Sequence, residues 1–195
     1  MNKDWKGNKT ASITTSGFHN NSKHDRETND FYATNPVALE KLLEREGFTN
    51  VWEPACGTGH LSEVLKRRGI HGKSSDLIDR GYGEVQDFLS YAGDWDGDII
   101  TNPPYSRATE FVYWALEIVK AGRKVAMIFP QRYLSSKERY KLFTENPPRF
   151  VYAFSGRVGC ALNGDFTSYS SSAVDYLWIV WEKGYRGDTT LKWIL

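Results

Sequence analysis

The chain is poor in cysteine, with Cys56 and Cys160 the two in 195 residues. They form neither a disulfide framework nor a zinc spacing. Cys56 and His60 are close in sequence, but one pair of ligands is a poor metal site, so no metal is expected. Long apolar runs are missing too. None reaches membrane-spanning length, and no charged-then-apolar leader opens the chain, so no membrane partner is expected and the protein is placed in the cytoplasm. An excess of one charge is also missing. Lys and Arg number 25 against 24 Asp and Glu, a net charge of +1. That argues against a strongly basic nucleic-acid binder and leaves any grip on phosphates to a local patch. Residues 1–30 are short of apolar side chains and rich in Asn, Ser, Thr, Lys and His, which reads as a flexible tail. There is no internal repeat.

What is present is a globular composition, 40% apolar with seven Trp. Residues 31–195 are long enough for one domain with a sizeable core. Asn35-Pro36 is an N-cap and first-turn pair that opens a helix carrying Val37, Leu39, Leu42 and Leu43, with Gly47 as its stop. Val51-Trp52-Glu53 reads as a strand, Gly59 to Arg68 as a helix and residues 71–76 as a strand ending at Asp76. Residues 83–93 are a helix or an irregular segment. Ile99-Ile100 is a strand, and residues 107–120 form the clearest helix, closed by Gly122. Val125 to Phe129 is a fully apolar strand. Ser135-Ser136-Lys137-Glu138 is a capping box for a helix to about Phe143. Strands at 150–154, 173–181 and 191–195 finish the chain. The alternation predicts an α/β open sheet, helices on both faces, with a terminal hairpin.

Two stretches carry the chemistry. Glu53-Pro54-Ala55-Cys56-Gly57-Thr58-Gly59 follows the first parallel strand and precedes a helix, and its glycines let the backbone turn and a ligand approach. Asp76 lies about twenty residues on, at the end of the next strand, where an acid bonds ribose hydroxyls in such folds. A dinucleotide site wants a third glycine, but Ser62 stands there, and Glu53, Asp76 and Asp87 would repel a pyrophosphate. Those acids suit a ligand with a sulfonium and an ammonium group, S-adenosylmethionine. A plain helix-dipole or surface role for Glu53 is the alternative.

The second stretch is Asn102-Pro103-Pro104-Tyr105, after an apolar strand. Each proline disfavours the α region for the residue before it and lacks an N–H. The turn therefore offers rigid acceptor oxygens, with the Asn102 side chain adding one, and these match a planar NH2 group. Tyr105 offers a ring for stacking. Asn146-Pro147-Pro148-Arg149 starts alike but follows a polar helix end and has Arg in place of Tyr, so it reads as a helix stop.

On these residues the sequence resembles the S-adenosylmethionine-dependent N6-adenine DNA methyltransferases, the small phage and prophage type with a γ-like motif order, over about residues 27–182. The resemblance implies a Rossmann-like class I methyltransferase fold, a mostly parallel seven-stranded sheet with an antiparallel terminal strand. It makes Asn102, Pro103, Pro104 and Tyr105 the catalytic motif. It makes Glu53, Pro54, Ala55, Cys56, Gly57 and Gly59 the cofactor loop. It adds Asp76 and Leu77 at the ribose, and Asp87 and Phe88 at the cofactor's adenine. Phe31-Tyr32-Ala33-Thr34-Asn35-Pro36 resembles the segment over the methionine end, and Asn102 also touches the cofactor.

The implied substrate is adenine in DNA, methylated at N6. Adenine in RNA and a protein glutamine amide stay open as alternatives, as does a non-enzymatic cofactor-binding role. The chain departs from the family in having no separate target-recognition domain. Either target choice is relaxed or another chain supplies recognition. Residues 156–172 form a long loop that would cap a flipped base through Phe166 or Tyr169, or else a simple surface connection. Arg107, with Arg132, Lys137 and Arg139, is placed to meet phosphates.

Overall fold

The computed structural model describes residues 32–156, 160–162 and 174–195. The expected flexible tail lies outside them, as do Phe31, Phe166 and Tyr169. Ten strands are present among the described residues. Eight build one sheet: β2 (Val51–Glu53), β3 (His71–Asp76), β4 (Glu84–Val85), β5 (Ile99–Thr101), β6 (Lys124–Pro130), β7 (Phe150–Phe154), β9 (Tyr176–Glu182) and β10 (Thr190–Ile194). Their order across the sheet is β10-β7-β9-β6-β5-β2-β3-β4. The other two, β1 (Tyr32–Thr34) and β8 (Cys160–Leu162), pair antiparallel as a separate ribbon.

Three elements differ from the expectation. The sheet has eight strands where the resemblance implies seven, because Glu84-Val85 adds a short strand beside β3. A two-residue exposed strand leaves no period to detect. The terminal hairpin does not form. β9 inserts antiparallel between β6 and β7, while β10 runs parallel to β7 at the edge. Burial explains the swap. Residues 176–181 are buried on both faces, which suits an interior strand, whereas Leu191 and Trp193 stay exposed, which suits an edge. Thirdly, Cys160–Leu162 is a strand inside the stretch read as a loop.

Helices α1 (Pro36–Leu43), α2 (His60–Arg67), α3 (Ala108–Ile118) and α4 (Tyr140–Glu145) cover the sheet. Asn35 caps α1 as expected, its Oδ1 accepting from Val37 N at 3.0 Å. The helix ends at Leu43, before Gly47. Side chains alternate across the strands and feed two cores. Val125, Met127 and Phe129 of β6 join Leu177, Ile179 and Trp181 of β9 and the α3 stripe Phe111, Val112 and Ala115. Ala126 and Ile128 join Trp178 and Val180 on the opposite face, under Leu39 and Leu42 of α1 and Leu61, Val64 and Leu65 of α2. Each Val, Leu, Ile, Met or Phe among them contributes about 1.5–3 kcal/mol on burial. Asp98 ties the amino edge of the sheet, accepting from Thr49 N at 2.6 Å and Lys124 N at 2.7 Å. The opposite, carboxyl edge is left to loops, and the residues singled out above lie there.

Candidate active site

The carboxyl ends of β3, β2 and β5 lie side by side, and their register aligns the two stretches. Glu53 pairs with Ser74 and Trp52 with Ile99. Beyond those pairs β3 ends at Asp76, β2 at Glu53 and β5 at Thr101, so the loop from Pro54 and the Asn102 turn leave neighbouring parallel strands at the same edge as Asp76. With strands about 4.8 Å apart, β5 and β3 run about 10 Å from each other with β2 between them.

The loop after β2 is shaped by its glycines. Gly57 has φ 55° and Gly59 φ 88°, both left-handed. Gly57 N donates to Asp76 Oδ2 at 2.8 Å, and Ile78 N to Asp76 Oδ1 at 3.1 Å, so the β3 acid holds the loop in place. Gly59 caps α2 without a side chain, and a Cβ there would lie 2.4 Å from the Tyr82 ring. Sequence reasoning missed Tyr82. Its signal is two flanking glycines, Gly81 and Gly83, both at positive φ. The Tyr82 hydroxyl donates to Glu63 Oε1 at 2.6 Å, and Lys66 Nζ lies 4.7 Å from its ring centre.

Glu53 is buried, its Oε2 in a hydrogen bond with Ser62 Oγ. It is therefore not a surface acid. Burial pushes its pKa up to about 8, with the Asp76 charge adding to the rise and Ser62 opposing it. Cys56 is also buried, its Sγ 3.6 Å from the Tyr82 carbonyl oxygen, and burial pushes its thiol up to about 12, with the Glu53 and Asp76 charges adding to the shift. A thiol held so is inert packing. Pro54 is buried and Ala55 half-buried, while Leu77 is exposed.

Asp87 caps the turn Phe88–Ser90, its Oδ1 accepting from Leu89 N at 3.0 Å. The Phe88 side chain is a core residue, 1% exposed, edge-on to Trp52 and tilted against Phe111. The core takes up the Phe88 ring, so only its backbone is left to a ligand. Gln86 Oε1, beside Asp87, is buried and accepts no hydrogen bond from the described residues, an acceptor that a ligand amine would satisfy. Ala33 and Thr34 of β1 are buried, and β1 lies against α2. This acidic rim with its unsatisfied acceptor and glycine cradle fits a cationic nucleoside ligand.

Asn102 is half-buried, Pro103 buried and Pro104 extended at φ −60°, ψ 120°. Tyr105 opens a short 3-10 turn through Arg107 that leads into α3, and its half-buried ring packs against both cores. Asn146 lies elsewhere. It ends α4 just before β7, at the amino edge of the sheet. The second Asn-Pro-Pro is thus the helix stop expected of it.

The four cations differ. Arg107 pairs with Glu110 at 2.8 Å. Arg139 donates to the Tyr133 carbonyl oxygen at 2.6 Å and covers the Tyr133 ring. Arg132 and Lys137 are exposed and carry no ion pair among the described residues.

No protein-family model matches the sequence, and no curated protein does. Solved structures do. A putative class I S-adenosylmethionine-dependent methyltransferase from Listeria monocytogenes superimposes with a TM-score of 0.57 at 15% identity, over 94% of this chain and 71% of that one. The chain has the class I methyltransferase fold. A putative RNA methyltransferase from Pyrococcus horikoshii gives 0.54 at 16% identity, over 91% and 99%. The M protein of the type I restriction enzyme EcoKI gives 0.52 at 14% identity, over 83% of this chain and 45% of its own length. This methyltransferase fold places its glycine loop and its Asn-Pro-Pro-Tyr turn on one edge. Among the described residues no helix is long and apolar enough to cross a membrane.

Proposed function

We propose that the protein transfers a methyl group from S-adenosylmethionine to the N6 amine of adenine in DNA. The observation that carries this reading is that the glycine loop after β2, Asp76 at the end of β3 and the Asn102 turn after β5 leave adjacent parallel strands at one edge. The loop Glu53–Gly59 would seat the methionine end, Asp76 and Leu77 the ribose, and Asp87 with the Phe88 backbone the adenine ring. Bound there, the cofactor supplies an activated methyl group on a cationic sulfur.

The protein's own part is positioning and charge. The exocyclic amine of adenine is a weak nucleophile because its lone pair is delocalised into the ring. Acceptors at Asn102 and along the Pro103-Pro104 carbonyls orient the two amine hydrogens and stabilise the positive charge that grows on nitrogen. A base reaches such an edge site only when flipped from the helix, and Tyr105 gives it a surface to rest on. Phe166 and Tyr169 would cap it, with Arg107 meeting phosphate. The M protein likeness supports a DNA substrate and a separate recognition chain as partner.

The test is parallel incubation with tritium-labelled cofactor and DNA, RNA or a glutamine-bearing protein. Label recovered as N6-methyladenine from DNA is expected. Label confined to RNA or to protein would overturn the DNA reading. Asn102→Ala should cut the rate by about 10²–10³-fold while cofactor binding survives, and an unchanged rate would reject the motif's role.

A further inference from the structure

Four polar side chains under the glycine loop, beginning with Glu53 at its entrance, form a line of hydrogen bonds. Glu53, at the end of β2, is 2% exposed, and no cation pairs with it among the described residues. Its Oε2 is hydrogen-bonded to Ser62 Oγ on α2. Ser62 Oγ lies 2.5 Å from Ser74 Oγ on β3, and Ser74 Oγ lies 2.7 Å from His71 Nε2 on the same strand. Ser62 and Ser74 are buried, and His71 is half-buried, at the outer end of the line. The ionisable groups facing Glu53 are Asp76 of β3 and Cys56 of the loop, neither of which offsets a carboxylate. Lys66 and Glu63 of α2 face His71.

We propose that Glu53 is the neutral acid in the free protein and surrenders its proton, through Ser62, Ser74 and His71, when the cationic methyl donor binds at the glycine loop. The idea rests on the cofactor reading above and extends it. A carboxylate buried without a cation is costly, and a sulfonium brought to the loop offsets that cost. The line can carry the proton without net change in the serines. The Glu53 O–H bond breaks as its proton passes to Ser62 Oγ. Ser62 passes its own hydrogen to Ser74, and Ser74 passes its own to His71 Nε2. The resulting imidazolium releases its Nδ1 proton to water. Every hydrogen bond in the line ends reversed, and Glu53 remains as a carboxylate accepting from Ser62.

His71 suits the outer end, since burial and the Lys66 charge hold its pKa below the usual histidine range and leave it a neutral acceptor near pH 7. The demethylated product, S-adenosylhomocysteine, has an uncharged sulfur and leaves Glu53 protonated. Glu53 is thus a specificity-determining residue that separates donor from product by charge.

Calorimetric titration of the full chain at pH 7, in two buffers of different ionisation enthalpy, reads the protons directly. S-adenosylmethionine should release close to one proton, and S-adenosylhomocysteine markedly less. Glu53→Gln keeps the shape and should release none, binding the donor about tenfold more weakly while product binding holds. In stopped flow with an indicator dye, His71→Phe should keep the stoichiometry and slow the release; an unchanged rate overturns the route. Equal heats in both buffers, or proton release surviving in Glu53→Gln, overturn the coupling while the cofactor site stands. No binding heat with either ligand overturns the cofactor site and the coupling together.

Discussion

At the scale of single residues, the informative side chains hold the backbone of the site in place. Asp76 is the plainest, since both of its oxygens take backbone N–H groups at the turn between strand and loop. Gly59 is next. Alanine there needs a left-handed φ of 88° and would press on Tyr82. Gly59→Ala should cost about 1–3 kcal/mol from strain alone, readable as a lower thermal midpoint together with weaker binding of S-adenosylhomocysteine. Glu53 sets a pH signature. Its carboxyl titrates near the ordinary 4.5 when unfolded and near 8 when folded, so the folded state holds a proton that the unfolded chain has lost. The stability this gives is full below about pH 4.5 and is lost as pH rises through 8. Thermal melts of the ligand-free chain should therefore fall across that window. Glu53→Gln should flatten the fall, and a parallel slope in the variant would assign it elsewhere.

At the scale of elements, the segment after β6 faces outward with two exposed cations that carry no ion pair among the described residues. Arg139 is spent on the Tyr133 carbonyl and ring, and Tyr133 stacks on Phe129 at 3.8 Å and lies 3.2 Å by its hydroxyl from Thr109 Oγ1 of α3. The segment is thereby pinned beside the helix that follows Tyr105, with Arg132 and Lys137 left outward. Replacing both with Glu should weaken DNA binding without sequence bias and reduce the log–log salt slope by about 1 per lost phosphate contact. A slope that does not move would take these two residues out of the interface. Which elements were legible follows the same logic of burial. The helices of residues 36–43, 60–67 and 108–118 have one apolar face each, and their periods show it. β4 has no buried residue, and the antiparallel insertion of β9 depends on a partner distant in sequence, so neither leaves a local mark.

Across the whole molecule, sequence reading found both halves of the candidate site, because each is a backbone device written in glycine or proline. It could not find the line Glu53–Ser62–Ser74–His71, since those residues come from β2, α2 and β3 and meet only through sheet and helix packing. Nor could it show that Phe88 faces the core, which is decided by Trp52 and Phe111. The insertion of β9 between β6 and β7 has a consequence for assembly. β6 has no second neighbour until residues 176–182 exist, although the glycine loop and Asn102 are made long before. During synthesis the candidate-site edge must wait for β9 to lock its floor, and until then β6 presents a bare apolar border. A chain cut after residue 172 should accumulate in the insoluble fraction, and adding back the missing strand as a peptide should not readily rescue it, because a register of seven consecutive pairs has to form with a segment that is no longer tethered.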